Sequence, residues 1–151
     1  MIRTLRRTMT TLATATATAP APAVVPRVPI PANGVDYRNK IVLAPMVRSG
    51  ELPSRLLALK YGADLVWGPE TIDRSMIGAE RRVNPRNGTI EFTRMPSNGG
   101  RPNKPTKESI IYRIDPAREK GRLIYQIGTA NPELAVQAAR VVAADVSGID
   151  L

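Results

Sequence analysis

Four apolar runs separated by helical patterns constrain what this 151-residue chain can fold into more than any other feature. The runs are IVLAPMV, which begins at Ile41, followed by ADLVWGPET, RLIYQIG and VSGIDL. The apolarity of the first three is typical of strands that are buried on both faces, as they are in a parallel sheet, and the fourth run begins a further strand. Helical patterns follow the first and third runs, and a short helix is expected at Asp73–Glu80 after the second. This alternation predicts an α/β fold with a parallel sheet and right-handed crossovers.

The two longer helices carry start and stop signals. In the first, expected at Leu52–Tyr61, Pro53 fits the first turn and Gly62 fits the position after the last turn. The second, NPELAVQAARVVAAD, has Asn131 as a good N-cap and Pro132 at its first helical position. Its predicted apolar face consists of Leu134, Ala138, Val141 and Val142.

The segment between the second and third apolar runs follows a different pattern. NGTIEFTR and ESIIYRI alternate apolar and polar residues, and the turn-rich stretch MPSNGGRPNKPTK lies between them. We expect a small antiparallel hairpin whose long tip carries Arg101, Lys104 and Lys107. A helical turn, DPAREKG, then leads into the third run.

Residues 1–36 are expected to form a disordered leader and linker, so that the folded domain runs from 37 to 151. The opening MIRTLRRTMTTLATATATA is basic and rich in Thr and Ala, and no acidic residue precedes Asp36. This composition resembles a mitochondrial transit peptide, and a low-complexity leader would account for it equally well. The proline-rich stretch at 20–31 predicts an extended linker.

Basic residues outnumber acidic ones by 22 to 13, which gives a net charge of +9. The excess concentrates at 74–122, where twelve basic residues stand against five acidic ones. A nucleic-acid partner would explain the excess, with the hairpin-tip residues Arg101, Lys104 and Lys107 as contacts, and so would an ordinary solvated surface.

The composition also excludes several kinds of chemistry. The sequence contains no Cys and no His, which excludes disulfides and thiol catalysis and removes the commonest metal ligands and general base. No apolar run approaches the ~20 residues that a membrane-spanning helix needs. We therefore expect neither a metal site nor a membrane anchor.

Ligands of parallel α/β sheets bind at the carboxyl ends of the strands, and three such ends are visible in the sequence. They lie at 44–47 (APMV), 68–70 (GPE) and 126–129 (QIGT). Pro45 fixes the backbone direction, and the Gln126 amide offers a donor and an acceptor to the edge of a heterocycle. This arrangement would suit a flat cofactor, although a methionine after a strand is more often a packing residue and a glutamine at a strand end is usually polar surface.

Three sequence blocks and their order resemble the tRNA-dihydrouridine synthase family, in particular its eukaryotic branch similar to dihydrouridine synthase 2. The blocks are YRNKIVLAPMVRSGELPSRLLALKYGADLVWGPETID, ERRVNPRNGTIEF and RLIYQIGTANPELAVQAARVVAADVSGIDL. The resemblance covers residues 37–151 and implies the N-terminal half of a flavin-binding (β/α)8 TIM barrel, with the hairpin as an insertion. It further implies that a D-loop uridine of tRNA is reduced to dihydrouridine, with FMN as cofactor and NADPH as reductant.

The resemblance also assigns site residues. Pro45, Met46 and Val47 match the first FMN contacts of the family, and Gln126 matches a later contact with the flavin ring. Glu70 matches an acidic position beside the site, although the two residues before it depart from the commoner ones.

The family's catalytic acid is a cysteine in an Asn-x-Gly-Cys-Pro motif after the fourth strand, and this sequence reaches Leu151 before that motif. We therefore expect no turnover from residues 1–151 alone. The alternatives are a non-catalytic RNA-binding module and a truncated fragment without function. A doubly wound nucleotide-binding domain is a further alternative, but the sequence has no Gly-x-Gly-x-x-Gly turn and no P-loop. The family implies a cytoplasmic or nuclear location, whereas the leader suggests mitochondria. The sequence does not indicate an oligomeric state.

Overall fold

The computed structural model describes residues 29–30, 32, 34–47, 49–95 and 107–151. Within these residues the elements are, in chain order, β1 (Val42–Leu43), α1 (Leu52–Lys60), β2 (Leu65–Trp67), β3 (Thr71–Ile72), α2 (Asp73–Met76), β4 (Glu80–Val83), β5 (Ile90–Arg94), β6 (Ser109–Ile114), α3 (Pro116–Glu119), β7 (Leu123–Gly128), α4 (Pro132–Val142) and β8 (Gly148–Asp150). The predicted leader at 1–36 lies largely outside the described residues, and its proposed disorder stays a prediction.

A parallel sheet forms the centre of the molecule, as the apolar runs predicted. Its strands follow the order β1–β2–β7–β8, and β3 pairs with the last part of β7. All of these pairings are parallel, so the strands share one carboxyl end. The strand β7 therefore organises the sheet, because it pairs with β2, β3 and β8.

The expectation that the first strand is buried on both faces is wrong. It has only two residues, and the side chains of Ile41 and Val42 are 70% and 41% exposed. The strand β1 pairs with β2 on one side and with no other strand among the described residues. Apolarity identified the strand, but burial depends on neighbours that the apolar pattern does not specify.

The two longer helices form where their signals indicated. Pro53 lies in the first turn of α1, and the side chain of Asn131 accepts a hydrogen bond from the backbone N–H of Leu134 at 3.0 Å, which caps α4. The apolar face of α4 differs slightly from the prediction. Ala135, Ala138 and Val142 are buried, whereas Leu134 and Val141 are only partly buried. The short helix α2 ends at Met76, four residues earlier than expected.

The predicted hairpin is part of a three-stranded antiparallel sheet. The strands β5 and β6 pair as expected, and β4 adds to the outer side of β5. The strand β4 was not predicted, because its residues, ERRV, do not alternate between apolar and polar; all four are exposed. An ion pair between Arg81 of β4 and Asp145 after α4, with Nε and Oδ2 2.7 Å apart, ties the strand to the parallel layer.

One hydrophobic core joins the two sheets and α4. On β7 it includes Leu123, Tyr125 and Ile127, which share one face because strand side chains alternate. The other members come from β2, α2, the antiparallel sheet and α4: Val66, Met76, Ile90, Phe92, Tyr112, Ile114, Ala138 and Val142. The opposite face of β7, which carries Ile124 and Gln126, is hereafter called the site face.

A buried ion pair holds the start of α1 against the antiparallel sheet. The Nε of Arg55 donates to Oε1 of Glu119 at 2.5 Å, and both side chains are at most 1% exposed. The same guanidinium donates to the carbonyl oxygens of Gly50 and Arg113, each at 2.7 Å. It also lies 5.0 Å from the ring centre of Tyr112. This network fixes the end of the loop that follows β1.

Candidate functional site

The strand register brings the predicted site residues to the same, carboxyl end of the sheet. Leu43 lies opposite Val66, and Val66 lies opposite Leu123. Three residues further along each segment are Met46, Pro69 and Gln126. The loops after β1 and β2 therefore meet the second half of β7 at the carboxyl end of the sheet, where ligands of parallel sheets bind.

Three polar side chains from neighbouring strands converge on the site face. Oδ2 of Asp150 on β8 accepts a hydrogen bond from Nε2 of Gln126 at 3.0 Å and another from Nε1 of Trp67 at 3.1 Å. These three side chains are half-buried. The sequence predicted a role for Gln126 and missed Trp67 and Asp150. The alternation of side chains along the strands could have identified these two residues, because the register places Asp150 directly opposite Gln126.

Aromatic and aliphatic groups cover the lower part of the same face. The ring of Tyr37 lies 6.0 Å from that of Trp67, and its hydroxyl lies close to the backbone of Gly148. The side chain of Ile124 is buried beneath them. This packing leaves the polar cluster at the open, carboxyl end of the strands.

The loop after β1 presents apolar side chains to solvent. Met46 and Val47 are 52% and 87% exposed. Pro45, which precedes them in the sequence, is half-buried. Gly50, at the end of this loop, adopts a φ of +92° and approaches the backbone of Trp67 so closely that a Cβ would lie 2.9 Å from its carbonyl oxygen. The loop is thus held against the end of β2 while its apolar residues face outward.

Glu70 lies beside the same strand ends. Its carboxylate covers Gly128, where a Cβ would overlap with Oε1 of Glu70. An exposed carboxylate therefore lies at the carboxyl end of β7, and no described side chain pairs with it.

The unusual glycine before Glu70 has a packing reason. The hydroxyl of Tyr112 on β6 occupies the space where a side chain of Gly68 would be. The Tyr112 and Tyr125 hydroxyls are buried and have no hydrogen-bond partner in the described part of the chain. Burial raises the pKa of the Tyr125 hydroxyl to about 12 and that of the Tyr112 hydroxyl further. The antiparallel sheet is thus packed directly against the end of β2.

The candidate RNA contacts are only partly covered by the structure. Arg101 and Lys104 lie outside the described residues, and Lys107 is exposed at the start of β6. Within 74–122 the described ion pairs to acidic side chains involve Arg81, Arg82, Arg113 and Arg118. The other described basic residues of this segment make no such pair within 4.0 Å: Arg74, Arg86, Arg94, Lys107, Lys120 and Arg122.

A cavity of about 1170 Å³ lies at the opposite, amino end of the parallel strands. Its walls come from the turns that precede β2, β7 and β8, and they include Asp64, Lys120, Arg122 and Ser147. We favour the carboxyl end as the functional site, because the polar cluster and the exposed apolar loop converge there rather than in the cavity.

No group of three or more carboxylate, Cys or His side chains in the described ranges could hold a metal ion. No helix in the same ranges is long and apolar enough to cross a membrane.

Comparison with known proteins gives close relatives for most of the chain. No family model matches it. The chain is 52% identical over 120 residues to a Schizosaccharomyces pombe protein described as "tRNA-dihydrouridine(20) synthase [NAD(P)+]". It is 49% identical over 117 residues to a Saccharomyces cerevisiae protein with the same description. Each alignment covers 78% of this chain, which spans only 23% and 29% of the length of the two relatives.

Proposed function

We propose that this chain, which is a homologue of the tRNA-dihydrouridine synthases over 78% of its length, provides part of the flavin site of such an enzyme. The observation that carries this proposal is the convergence of Met46 and Gln126 at one end of a parallel sheet, in the positions that the family resemblance assigned to flavin contacts. The reaction of the whole protein would be the reduction of a tRNA uridine to dihydrouridine.

The order of the strands supports a partial (β/α)8 barrel. In a barrel each β/α unit lies beside the unit that precedes it in the chain, whereas a doubly wound sheet reverses its order at a switch point. Here the main strands follow one another across the sheet in chain order, as β1–β2–β7–β8, without a reversal. The antiparallel strands β4–β6 then form an insertion between the second and third units.

The residues at the carboxyl end fit an isoalloxazine ring in their chemistry. Met46 and Val47 offer exposed apolar surface for a flat ring, and Pro45 holds the backbone before them in a set direction. Gln126 offers a carbonyl oxygen at the ring edge, since its amide nitrogen already donates to Asp150. An apolar surface with a few placed polar groups is the usual composition of a cofactor site.

The contribution of these residues would be binding and orientation. When bound, FMN would supply the hydride that reduces the uracil ring, with a nicotinamide cofactor as the source of electrons. The loop at 44–47 would shield one side of the cofactor from water, and Gln126 would fix its rotation in the site. The sequence contains no Cys, so the cysteine acid that the resemblance implies is not among these 151 residues.

The substrate proposal adds basic residues on and beside the antiparallel sheet. A target base must leave its stack before it can meet a cofactor in a pocket, and phosphate contacts along the backbone can hold the RNA during this step. Lys107 is exposed at the edge of this sheet, and Arg74 and Arg94 lie together because the Arg94 guanidinium donates to the Arg74 carbonyl. We propose that Lys107, with Arg101 and Lys104, contacts tRNA phosphates.

Titration of purified chain with FMN tests the cofactor proposal directly. We expect quenching of flavin fluorescence in the wild type and weaker binding in Gln126→Met, which keeps the side-chain length but removes the amide. The matched control is Gln137→Met, because Gln137 is the only other glutamine and is exposed on α4. Equal FMN affinity for the wild type and Gln126→Met would contradict the assignment of Gln126.

Turnover is tested separately with FMN, NADPH and unmodified tRNA. We expect residues 1–151 to form no dihydrouridine, because the sequence lacks the cysteine acid. Formation of dihydrouridine by this chain would show that another group protonates the uracil ring.

A further inference from the structure

The Asp150 carboxylate connects three neighbouring strands at the candidate site. A single oxygen, Oδ2, accepts from Gln126 on β7 and from Trp67 on β2. The strands β2 and β8 both pair with β7, so the indole of Trp67 reaches past β7 to the carboxylate of the strand on its other side.

The chemistry of the three groups fixes the direction of each hydrogen bond. An ionised carboxylate only accepts, and an indole N–H only donates. An amide can present either its NH2 group or its oxygen, but only the NH2 group can bond to a carboxylate. With Asp150 in place, Gln126 must therefore turn its nitrogen toward β8 and its oxygen away from it.

We propose that Asp150 is a positioning residue that holds the Gln126 amide with its carbonyl oxygen directed to the ligand. This inference rests on the proposed function, because the ligand is taken to be a flavin. The ring edge of a flavin carries an N–H group, which is a donor that the exposed oxygen of Gln126 can accept. A freely rotating amide would present its NH2 group part of the time and would oppose that donor.

The indole N–H of Trp67 is a second donor to the same carboxylate oxygen of Asp150. Because Trp67 also donates to Oδ2, β2 and β7 each supply a donor that stabilises the same position of the carboxylate on β8. Hydrogen bonds to a charged acceptor are stronger than neutral ones, so the preferred orientation of the amide should persist without ligand. Asp150 would thus prepare the site before the cofactor arrives.

The first test reads the amide without any ligand. In ¹H–¹⁵N spectra of the full chain, Asp150→Ala should shift the side-chain NH2 signals of Gln126 and the single indole N–H signal, which belongs to Trp67. Asp150→Asn keeps an acceptor and should restore much of the wild-type pattern. The control Glu133→Gln removes an exposed carboxylate on α4 and should leave both sets of signals in place.

The second test couples Asp150 to Gln126 through FMN affinity. Asp150→Ala should raise the Kd for FMN about three- to tenfold, because the Gln126 amide must then be immobilised when the cofactor binds. In a Gln126→Met background the same substitution should change the Kd less than twofold, because no amide is left to position. A merely structural role of Asp150 would weaken binding equally in both backgrounds.

The outcomes separate this inference from the proposed function. Wild-type binding of FMN with an unchanged Kd in Asp150→Ala would overturn the role of Asp150 and leave the flavin site standing. If the wild type binds no FMN, the flavin proposal fails. The Gln126 signals then decide alone: a shift in Asp150→Ala supports positioning of the amide, and unchanged signals overturn it.

Discussion

Removal of the Glu119 charge tests how the loop after β1 is held in place. Arg55 and Glu119 are at most 1% exposed, and their side chains are joined by two hydrogen bonds of 2.5 and 3.2 Å. Glu119→Gln preserves the shape of the side chain but leaves the Arg55 guanidinium buried without a counter-charge. Its new NH2 group would also face a donor, the backbone N–H of Asp115, which bonds to Oε2 at 2.8 Å.

The expected cost is large relative to the stability of a small domain. Breaking a buried ion pair by removing one charge typically costs about 3–5 kcal/mol. A domain of this size is stable by about 5–15 kcal/mol in total. The hydrogen bonds from Arg55 to the Gly50 and Arg113 carbonyls remain, so we expect a loss of about 3 kcal/mol, at the lower end of that range.

Urea denaturation followed by far-UV circular dichroism measures this loss. With a slope of about 2 kcal/mol/M, the midpoint should fall by about 1.5 M. The control Arg118→Gln breaks a pair with Asp115 whose arginine side chain is 68% exposed, and it should change stability by less than about 0.5 kcal/mol. A double variant, Arg55→Met with Glu119→Leu, should be more stable than Glu119→Gln because no buried charge is left. A Glu119→Gln variant as stable as the Arg118→Gln control would refute this reasoning.

Three further predictions concern single contacts. Asn131→Ala should lower the free energy of unfolding by about 1 kcal/mol, because it removes the cap of α4; thermal melts that show no change would contradict the capping role. Gly68→Ala should lower the free energy of unfolding by about 1–3 kcal/mol, because its Cβ would overlap with the Tyr112 hydroxyl. Tyr112→Phe should be neutral or stabilising, because that hydroxyl has no partner among the described residues. Urea titrations should separate the two variants, and an unchanged stability of Gly68→Ala would contradict the overlap. Burial favours the neutral Tyr125 phenol in the folded state and raises its pKa from 10.0 to about 12, so its contribution to stability is present below pH 10 and is lost as the pH rises toward 12. Tyr125→Phe should reduce this loss of stability at alkaline pH. Thermal melts over that pH range measure it, and an unchanged profile would contradict the prediction.

Much of the fold could be predicted from sequence because the elements carry local signals. The capping of α4 by Asn131 and the parallel pairing of the apolar runs follow from patterns within about fifteen residues, and the structure confirms both. The strand β4 carries no such pattern. Three of its four residues are charged and one is aliphatic, they do not alternate between polar and apolar, and all are exposed. It forms because β5 offers a free edge, and that edge exists only in the assembled sheet.

The site was predictable in part for the same reason. Gln126 lies near the end of an obvious strand, its amide offers both a donor and an acceptor, and the family resemblance assigned it a flavin contact. Asp150 and Trp67 each have an ordinary local interpretation, as the polar end of a strand and as a buried aromatic residue. Their contact appears only when the register places 126 opposite 150 and brings the Trp67 indole to the same carboxylate. Similarly, Arg55 is one of many arginines in sequence, and its burial depends on Glu119, which lies 64 positions away.

The central position of β7 has a consequence for synthesis on the ribosome. The strands β1, β2 and β3 are complete once Ile72 has been added, yet β3 and the second edge of β2 can pair only after residues 123–128 have emerged. At a synthesis rate of about 5–20 residues per second, the nascent chain must wait roughly 3–11 s with these strand edges unpaired. The antiparallel strands β4–β6 are made during this interval and pair with one another. Early closure of this inserted sheet would shorten the effective distance between β3 and β7 and reduce the time in which the nascent chain can bind chaperones or aggregate.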